Sequence, residues 1–343
     1  MIHVRSAFVK DYSVDGFALD VLETLQEYNV PFKLHAGSFL DAAKIPERIK
    51  PFLDLRGIPS PSEFQLVINP ACFVDQYCID RQTIMYTVWD STLMNRKFAF
   101  EINKGRLVMV PSEACKKCLV DSGVKIPIEV IPHGFHAIFH PLNNRPTHFP
   151  CVFGSGGQIT TPKNDKKNLS KLLEAWRKAF PGQEDVFLHL KTSPESFFPT
   201  SFPDKRIKVL NSTVSKENMA SWYRNLTCFV NVSKFEAFGQ MMAESMACGI
   251  PNITTNASGM GTYFKDNMGY RVGYEITPTG NDTYPEGEWY DPKMDELIAM
   301  MRYVYENRQE VAARGMLAHI EIQSVSYLEF QRKFVDVVRR FAY

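Results

Sequence analysis

Short apolar runs alternate with stretches of helical period along most of this 343-residue chain. A short apolar run bounded by turn residues suits a strand buried on both faces, and a helical stretch between two such runs suits the crossover that joins parallel neighbours. In the first half the runs fall at Phe32–Leu34, Leu66–Ile68, Ile84–Trp89, Leu107–Val110 and Ile128–Ile131. In the second half they fall at Cys151–Phe153, Val186–Leu190, Ile207–Leu210, Cys228–Val232 and Asn252–Thr254. Each predicts a buried strand. Ser112 is placed to cap a helix over Glu113–Ser122, with Gly123 as the left-handed residue beyond its end. Leu169, Leu172, Leu173, Trp176 and Phe180 share one face of a helix over Leu169–Phe180, which Pro181 and Gly182 end. Tyr327, Phe330, Phe334, Val337, Val338 and Phe341 form one stripe over Ser326–Tyr343, so this last helix should dock rather than hang free.

The pattern predicts an α/β chain of two Rossmann-like halves. Polar residues and prolines at Asn143–Pro150 interrupt every period and mark the join. The expected domains are 1–145 and 151–325, with 326–343 as a separate terminal helix. Composition adds exclusions. With 45% hydrophobic residues, 39 basic against 38 acidic residues and a net charge of +1, the chain is neither disordered nor a general polyanion binder. The charge is even between the halves, since residues 1–145 hold 16 basic and 16 acidic residues. No apolar run reaches the roughly 18 residues of a membrane helix, and MIHVRSAFVK lacks the apolar core of a secretory signal. A cytoplasmic location is expected, with which peripheral membrane attachment is compatible. Seven scattered cysteines suit free thiols in a core better than a disulfide framework.

The most informative segment is Ser233–Gly259, SKFEAFGQMMAESMACGIPNITTNASG. A strand runs into a turn holding Glu236 and Gly239, and a helix then continues through Met246 to Gly249. The start of such a helix offers unpaired N–H groups and the positive end of the macrodipole, where a diphosphate is well placed. Gly239 permits close backbone approach. Glu236 precedes the helix and Glu244 sits on it, so the two carboxylates can reach different parts of one ligand. Ionised carboxylates accept hydrogen bonds only, which suits the hydroxyls of a sugar or a ribose.

This segment resembles the Glu-x7-Glu motif of the retaining GT-B glycosyltransferases of family GT4. The resemblance extends over Val110–Pro141, Lys166–Trp176 (KKNLSKLLEAW) and Trp289–Pro292 (WYDP), about two thirds of the chain when the connecting elements are included. It implies two Rossmann-like domains facing a central cleft, the acceptor bound by the first and the nucleotide-diphosphate sugar by the second. It also implies a terminal helix that crosses back to the first domain. The resemblance makes Glu236 the contact to the transferred sugar and Glu244 the contact to the ribose, with the Phe238–Gly239–Gln240 loop holding sugar and phosphate. Lys167 matches the family's phosphate-binding lysine, just ahead of a helix start whose amides could act with it. The family's arginine is absent here, and Lys163 or Lys166 stands nearest to its place. A lysine lacks the bidentate fork of arginine. The implied reaction is a metal-independent transfer of a hexose or related sugar, through front-face departure of the diphosphate, to a glycan, lipid-linked sugar, protein or modified nucleic acid. No cofactor beyond the donor substrate is expected.

Other readings are weaker. Gly154-Ser155-Gly156-Gly157 reads as a loose glycine loop, and a dinucleotide fingerprint fails because Ile159 stands at its third glycine position. Cys115-x-x-Cys118 with His133-x-x-His136 superficially suggests zinc, but the cysteines lie on a predicted helix and the histidines are too closely spaced. No Asp-x-Asp pair exists in the chain, which fits the absence of a metal. In the first domain, Tyr12–Phe17 lies between a strand and a helix, where Gly16 could bring backbone close to a ligand. Asp90 at a strand's carboxyl edge is the candidate for acceptor contact, or else a cap on the next helix. His133 either lines the cleft or stabilises a turn. A sugar-nucleotide epimerase or phosphorylase of the same fold and a non-catalytic sugar-nucleotide binder remain the alternatives.

Overall fold

The computed structural model describes residues 1–6, 13–36, 45, 47–54, 63–142, 150–159 and 165–342. They form two compact units, one of Met1–His133 with Leu328–Tyr343 and the other of Gly134–Tyr327. The Asn143–Pro150 join falls almost wholly outside the described residues.

The first unit contains β1 (Ile2–Ser6), α1 (Ser13–Glu27), β2 (Phe32–Ala36), β3 (Leu53–Asp54), β4 (Gln65–Ile68), β5 (Thr83–Tyr86), α2 (Arg96–Ile102), β6 (Leu107–Val110), α3 (Glu113–Asp121) and β7 (Ile128–Val130). Its sheet is parallel throughout, in the order β3-β2-β1-β4-β5-β6-β7. β4, β5 and β6 are buried at every position, as parallel strands covered on both faces must be. Ser112 accepts the Cys115 N–H and caps α3, and Gly123 ends it with a φ of 97°. The predicted strand Ile84–Trp89 is shorter than expected, because the chain leaves the sheet after Tyr86.

The second unit contains β8 (Cys151–Gly156), α4 (Leu169–Ala179), β9 (Val186–Thr192), β10 (Ile207–Asn211), α5 (Lys216–Arg224), β11 (Cys228–Asn231), α6 (Gln240–Ala247), β12 (Asn252–Thr254), β13 (Gly269–Arg271), β14 (Tyr274–Pro278), β15 (Glu288–Pro292), α7 (Met294–Glu306) and α8 (Arg308–Glu321). Its parallel sheet runs β10-β9-β8-β11-β12-β13, and β14 pairs with β15 as a separate antiparallel hairpin. On one face Phe153, Leu188, Val230 and Ile253 pack against Leu172, Trp176 and Met301. On the other, Val152 and Phe229 pack against Tyr223, Met242, Met246 and Ile322. Gly154 and Gly156 are not a loop, since β8 continues through them. The strand is crowded there. A Cβ on Gly154 would lie 2.2 Å from the Leu226 side chain, and one on Gly156 would lie 2.6 Å from the Lys191 carbonyl oxygen.

α9 (Tyr327–Ala342) returns to the first unit from Leu328 onward. Phe330 and Phe334 are buried, Phe330 meets Phe17 edge to face at 5.3 Å, and Gln331 donates to Glu27 at 2.5 Å. All seven cysteines are free thiols. Among the described residues no helix is long and apolar enough to cross a membrane.

Gly315 brings α8 against the end of α6, so that a Cβ there would lie 2.1 Å from the Gly249 carbonyl oxygen. Helix propensity alone makes Gly315→Ala stabilising by about 1 kcal/mol. The contact predicts the opposite sign, a loss of about 1–3 kcal/mol, read as a lower midpoint in chemical denaturation.

Candidate functional site

In the second unit β8 and β11 are neighbours whose crossovers run to opposite sides, through β9 and β10 one way and β12 and β13 the other. The carboxyl ends of two such strands leave an open crevice where ligands bind in α/β sheets. β8 delivers Gly157 to this place and β11 delivers the Ser233–Gly239 loop.

The loop is shaped by its own side chains. Asn231 accepts the Ser233 N–H at 3.2 Å and turns the chain out of the sheet. Glu236 is held through its backbone, its N–H donating to Ser258 Oγ at 3.1 Å and its carbonyl accepting the Gly259 N–H at 2.8 Å. Gly259 must be glycine here, because a Cβ would lie 2.1 Å from the Ala237 carbonyl oxygen. Ser258 itself is left-handed, with a φ of 62°, a strained state for a residue with a side chain. The Glu236 carboxylate meets Lys167 Nζ at 2.5 Å, with the two side chains 14% and 22% exposed. The Lys167 stem lies on Gly157, where a Cβ would fall 2.5 Å from Lys167 Cγ.

Gly239 then opens α6 with a φ of 87°, its carbonyl accepting the buried Tyr263 hydroxyl at 2.9 Å. No side chain caps this helix. Glu244, on the next turn, accepts from Gln240 Nε2 at 3.0 Å and from Tyr223 Oη at 2.9 Å. Burial pushes its carboxyl upward, against the hydrogen bonds from Gln240 and Tyr223 and the charges of His136 and Lys216. The Tyr263 phenol is pushed well up by burial and then by both Glu236 and Glu244, so the two carboxylates lie around one phenol.

Two more lysines border this loop. The Lys234 N–H donates to the Lys166 carbonyl and the Lys234 carbonyl accepts the Tyr290 N–H, each at 2.9 Å, which ties the β14–β15 hairpin to the site. Lys166 Nζ lies over Tyr284 and Lys234 Nζ over Trp289, at 5.5 and 5.8 Å from the ring centres.

Several expectations change. The start of α4 is closed, because Asp165 accepts the Leu169 and Ser170 N–H groups at 3.1 and 3.0 Å, so those amides do not act beside Lys167. Phe238 is buried with its ring against Tyr263, and the Gln240 side chain is turned to Glu244 and the Gly134 carbonyl. Lys163 and Tyr12 lie outside the described residues. Gly16 is on the first turns of α1 rather than in a loop before it, since the helix begins at Ser13. Asp90 lies beyond the end of β5, and the next helix is capped by Asn95, which accepts the Lys97 N–H at 2.9 Å. His133 stacks on Phe17 at 4.1 Å, beside Tyr86, and burial pushes its imidazole down to about 3 against the opposing fields of Asp20 and Asp90. Asp90 and His133 therefore belong to one neighbourhood of the first unit. Cys115 and Cys118 are buried on α3, and among the described residues no group of three His, Cys, Asp or Glu could hold a metal ion. Tyr223, Tyr263, Ser258 and Asp165 carry no linear signal for their parts here, except that an acid four residues ahead of a helix start hints at a cap.

Residues 204–310 match the family model described as glycosyl transferases group 1, a span that includes both Glu236 and Glu244. No curated protein matches the chain in sequence. Among solved structures, HepE of Anabaena in complex with UDP and glucose is similar over 99% of this chain and 100% of its own, with 12% identity and a TM-score of 0.72. Sucrose-phosphate synthase of Thermosynechococcus elongatus is similar over 99% and 98%, with 13% identity and a TM-score of 0.72. A UDP-forming α,α-trehalose-phosphate synthase of Burkholderia xenovorans is similar over 100% and 99%, with 10% identity and a TM-score of 0.67. At these identities the likeness establishes the fold, and the chain has the GT-B fold of two Rossmann-like domains.

A buried imidazole held near pKa 3 stays neutral in the folded state, while the unfolded chain takes up the proton below about 6.5. Stability is therefore lost as pH falls from about 6.5 toward 3. His133→Phe, which keeps the stack on Phe17, should remove about 2 kcal/mol of the loss between pH 6.5 and 4.5, measured by denaturant titration at both pH values.

Proposed function

We propose that the chain is a retaining glycosyltransferase of the GT4 type, moving a hexose or related sugar from a nucleoside diphosphate sugar bound at the second unit's switch point. The Lys167–Glu236 ion pair beside the uncapped start of α6 is the observation that carries this reading. The group 1 match over 204–310 supports it, as does the similarity to HepE of Anabaena, solved with UDP-glucose.

The chemistry follows from the charges. When a diphosphate leaves, negative charge develops on it, and the α6 amides with Lys167 are already oriented to meet that charge. A bound diphosphate gives Lys167 a second acceptor beside Glu236, whose carboxylate can then receive a hydroxyl of the transferred sugar. Glu244, held by neutral donors, receives the ribose. Phe238, Gly239 and Gln240 act through their backbone rather than their side chains. Lys166 and Lys234 supply positive charge where the family's arginine is absent. Among the described residues no carboxylate is placed as a covalent nucleophile, and the front-face departure that the GT4 resemblance implies, with the acceptor attacking from the face the diphosphate leaves, retains the configuration. Asp90 is assigned to the acceptor, with His133 and Gly16 in the same unit. No metal is required by this scheme.

Calorimetry against UDP-, GDP- and ADP-sugars identifies the donor. Glu244→Ala should weaken the best donor by at least about tenfold, the value of one hydrogen bond to a charged group. Glu236→Gln should lower transfer by about a hundredfold or more while changing donor affinity far less. A Glu244→Ala variant that binds its donor as the wild type does sinks the ribose assignment, and product with inverted anomeric configuration sinks the retaining mechanism.

A further inference from the structure

Both oxygens of the Glu244 carboxylate are already engaged inside the second unit. Tyr223 of α5 donates to Oε2 at 2.9 Å, and Gln240, one turn earlier on α6, donates to Oε1 at 3.0 Å. A carboxylate has about four lone-pair directions, so roughly two remain for a ligand. Two acceptor directions, fixed by two fixed donors, match a pair of neighbouring hydroxyls.

We propose that Tyr223 is a positioning residue for nucleotide binding, its hydroxyl holding Glu244 ionised and aimed so that the carboxylate receives both ribose hydroxyls of the donor. This rests on the assignment of Glu244 to the ribose made above.

The tyrosine is built to hold one position. It is fully buried, and its ring is boxed edge-on by Phe139 at 6.0 Å, Trp222 at 5.2 Å and Phe229 at 5.9 Å. Burial pushes the phenol well above its ordinary range, followed by the charge of Glu244, so it remains a neutral donor at any working pH. Glu244 has the opposite problem, because burial favours its uncharged acid. A protonated Glu244 would present an O–H and lose acceptor capacity toward a diol. Gln240 and Tyr223 oppose that protonation, and so do His136 and Lys216, which are in contact at 2.5 Å. The remaining titratable neighbours, Tyr263 and Cys248, are pushed up by burial and stay uncharged. Removing the Tyr223 hydroxyl leaves one oxygen of a half-buried carboxylate without its donor, which raises its proton affinity and loosens its direction.

The test uses the full chain and whichever of UDP, GDP and ADP binds most tightly, beside its 2′,3′-dideoxy analogue. Tyr223→Phe preserves the ring and deletes only the hydroxyl, and Gln240→Leu deletes the other donor. The wild type should prefer the ribonucleotide. Each variant should bind the ribonucleotide about tenfold more weakly at pH 7 and the dideoxy analogue with nearly unchanged affinity. The acid limb of ribonucleotide binding should move to higher pH, because a lost donor to the ionised form raises the carboxyl's pKa. Equal weakening of both ligands, or an unmoved acid limb, means that Tyr223 only supports the core and overturns the proposal. Wild-type binding in Tyr223→Phe overturns it too. A wild type that binds ribo and dideoxy forms equally points instead to failure of the ribose assignment, and removes the proposal with it. Gln240→Leu decides the matter if Tyr223→Phe does not fold.

Discussion

The loops that follow β11 and β12 touch at Gly259 and Ala237, so closely that no Cβ fits between them. That approach lets the Gly259 N–H and Ser258 Oγ take both backbone groups of Glu236. Glu236 is thereby located by hydrogen bonds to its main chain, and its carboxylate is left for Lys167. The left-handed Ser258 is the strained part of this arrangement. Strain of about 1–3 kcal/mol persists only where the surroundings over-determine it, and here two neighbouring strands impose it. This contact fixes the loop that leads to the turn at Gly239 and the start of α6, and so fixes where Glu236 meets Lys167.

The two carboxylates of one short segment are treated differently by their surroundings. Glu236 faces a lysine and is balanced by charge, whereas Glu244 faces a phenol and an amide and is balanced by neutral donors. A charge pair has no fixed direction, and the lysine in it can serve a second acceptor. Neutral donors remain in place and define direction. Under the proposed function, one carboxylate exchanges partners as the donor binds while the other keeps a fixed direction. The ammonium groups of Lys166 and Lys234 lie over Tyr284 and Trp289 beside the same loop.

How much of this could be read from the sequence depended on whether the information was local. The apolar runs of the second sheet are strands because a parallel strand between two helix layers must be apolar on both faces. β13 and the β14–β15 hairpin escaped that reading, since β13 is only three residues long and β14 is largely exposed and carries no such pattern. Gly154 and Gly156 suggested a loop, but their small size answers crowding from Leu226 and Lys191, residues far along the chain. Glu236, Gly239 and Glu244 were legible together because a single turn and helix carry them. Tyr223, Ser258 and Tyr263 become their partners only once α5 and the loop after β12 are folded against α6. Asp165 is the local exception, a cap whose effect on the α4 amides was there to be read.

The first unit is not continuous in sequence: residues 328–343 belong to it, and residues 134–327 intervene. Phe330 and Phe334 complete a core that Phe17 begins, so the core around Phe17 cannot finish folding until residues some three hundred positions later have emerged. Contacts of such long sequence separation form slowly, because the closing of the loop must precede any gain from them. The second unit, whose elements are all consecutive, is free to fold in the meantime. During synthesis, therefore, the unit whose larger part leads in sequence is the one completed last.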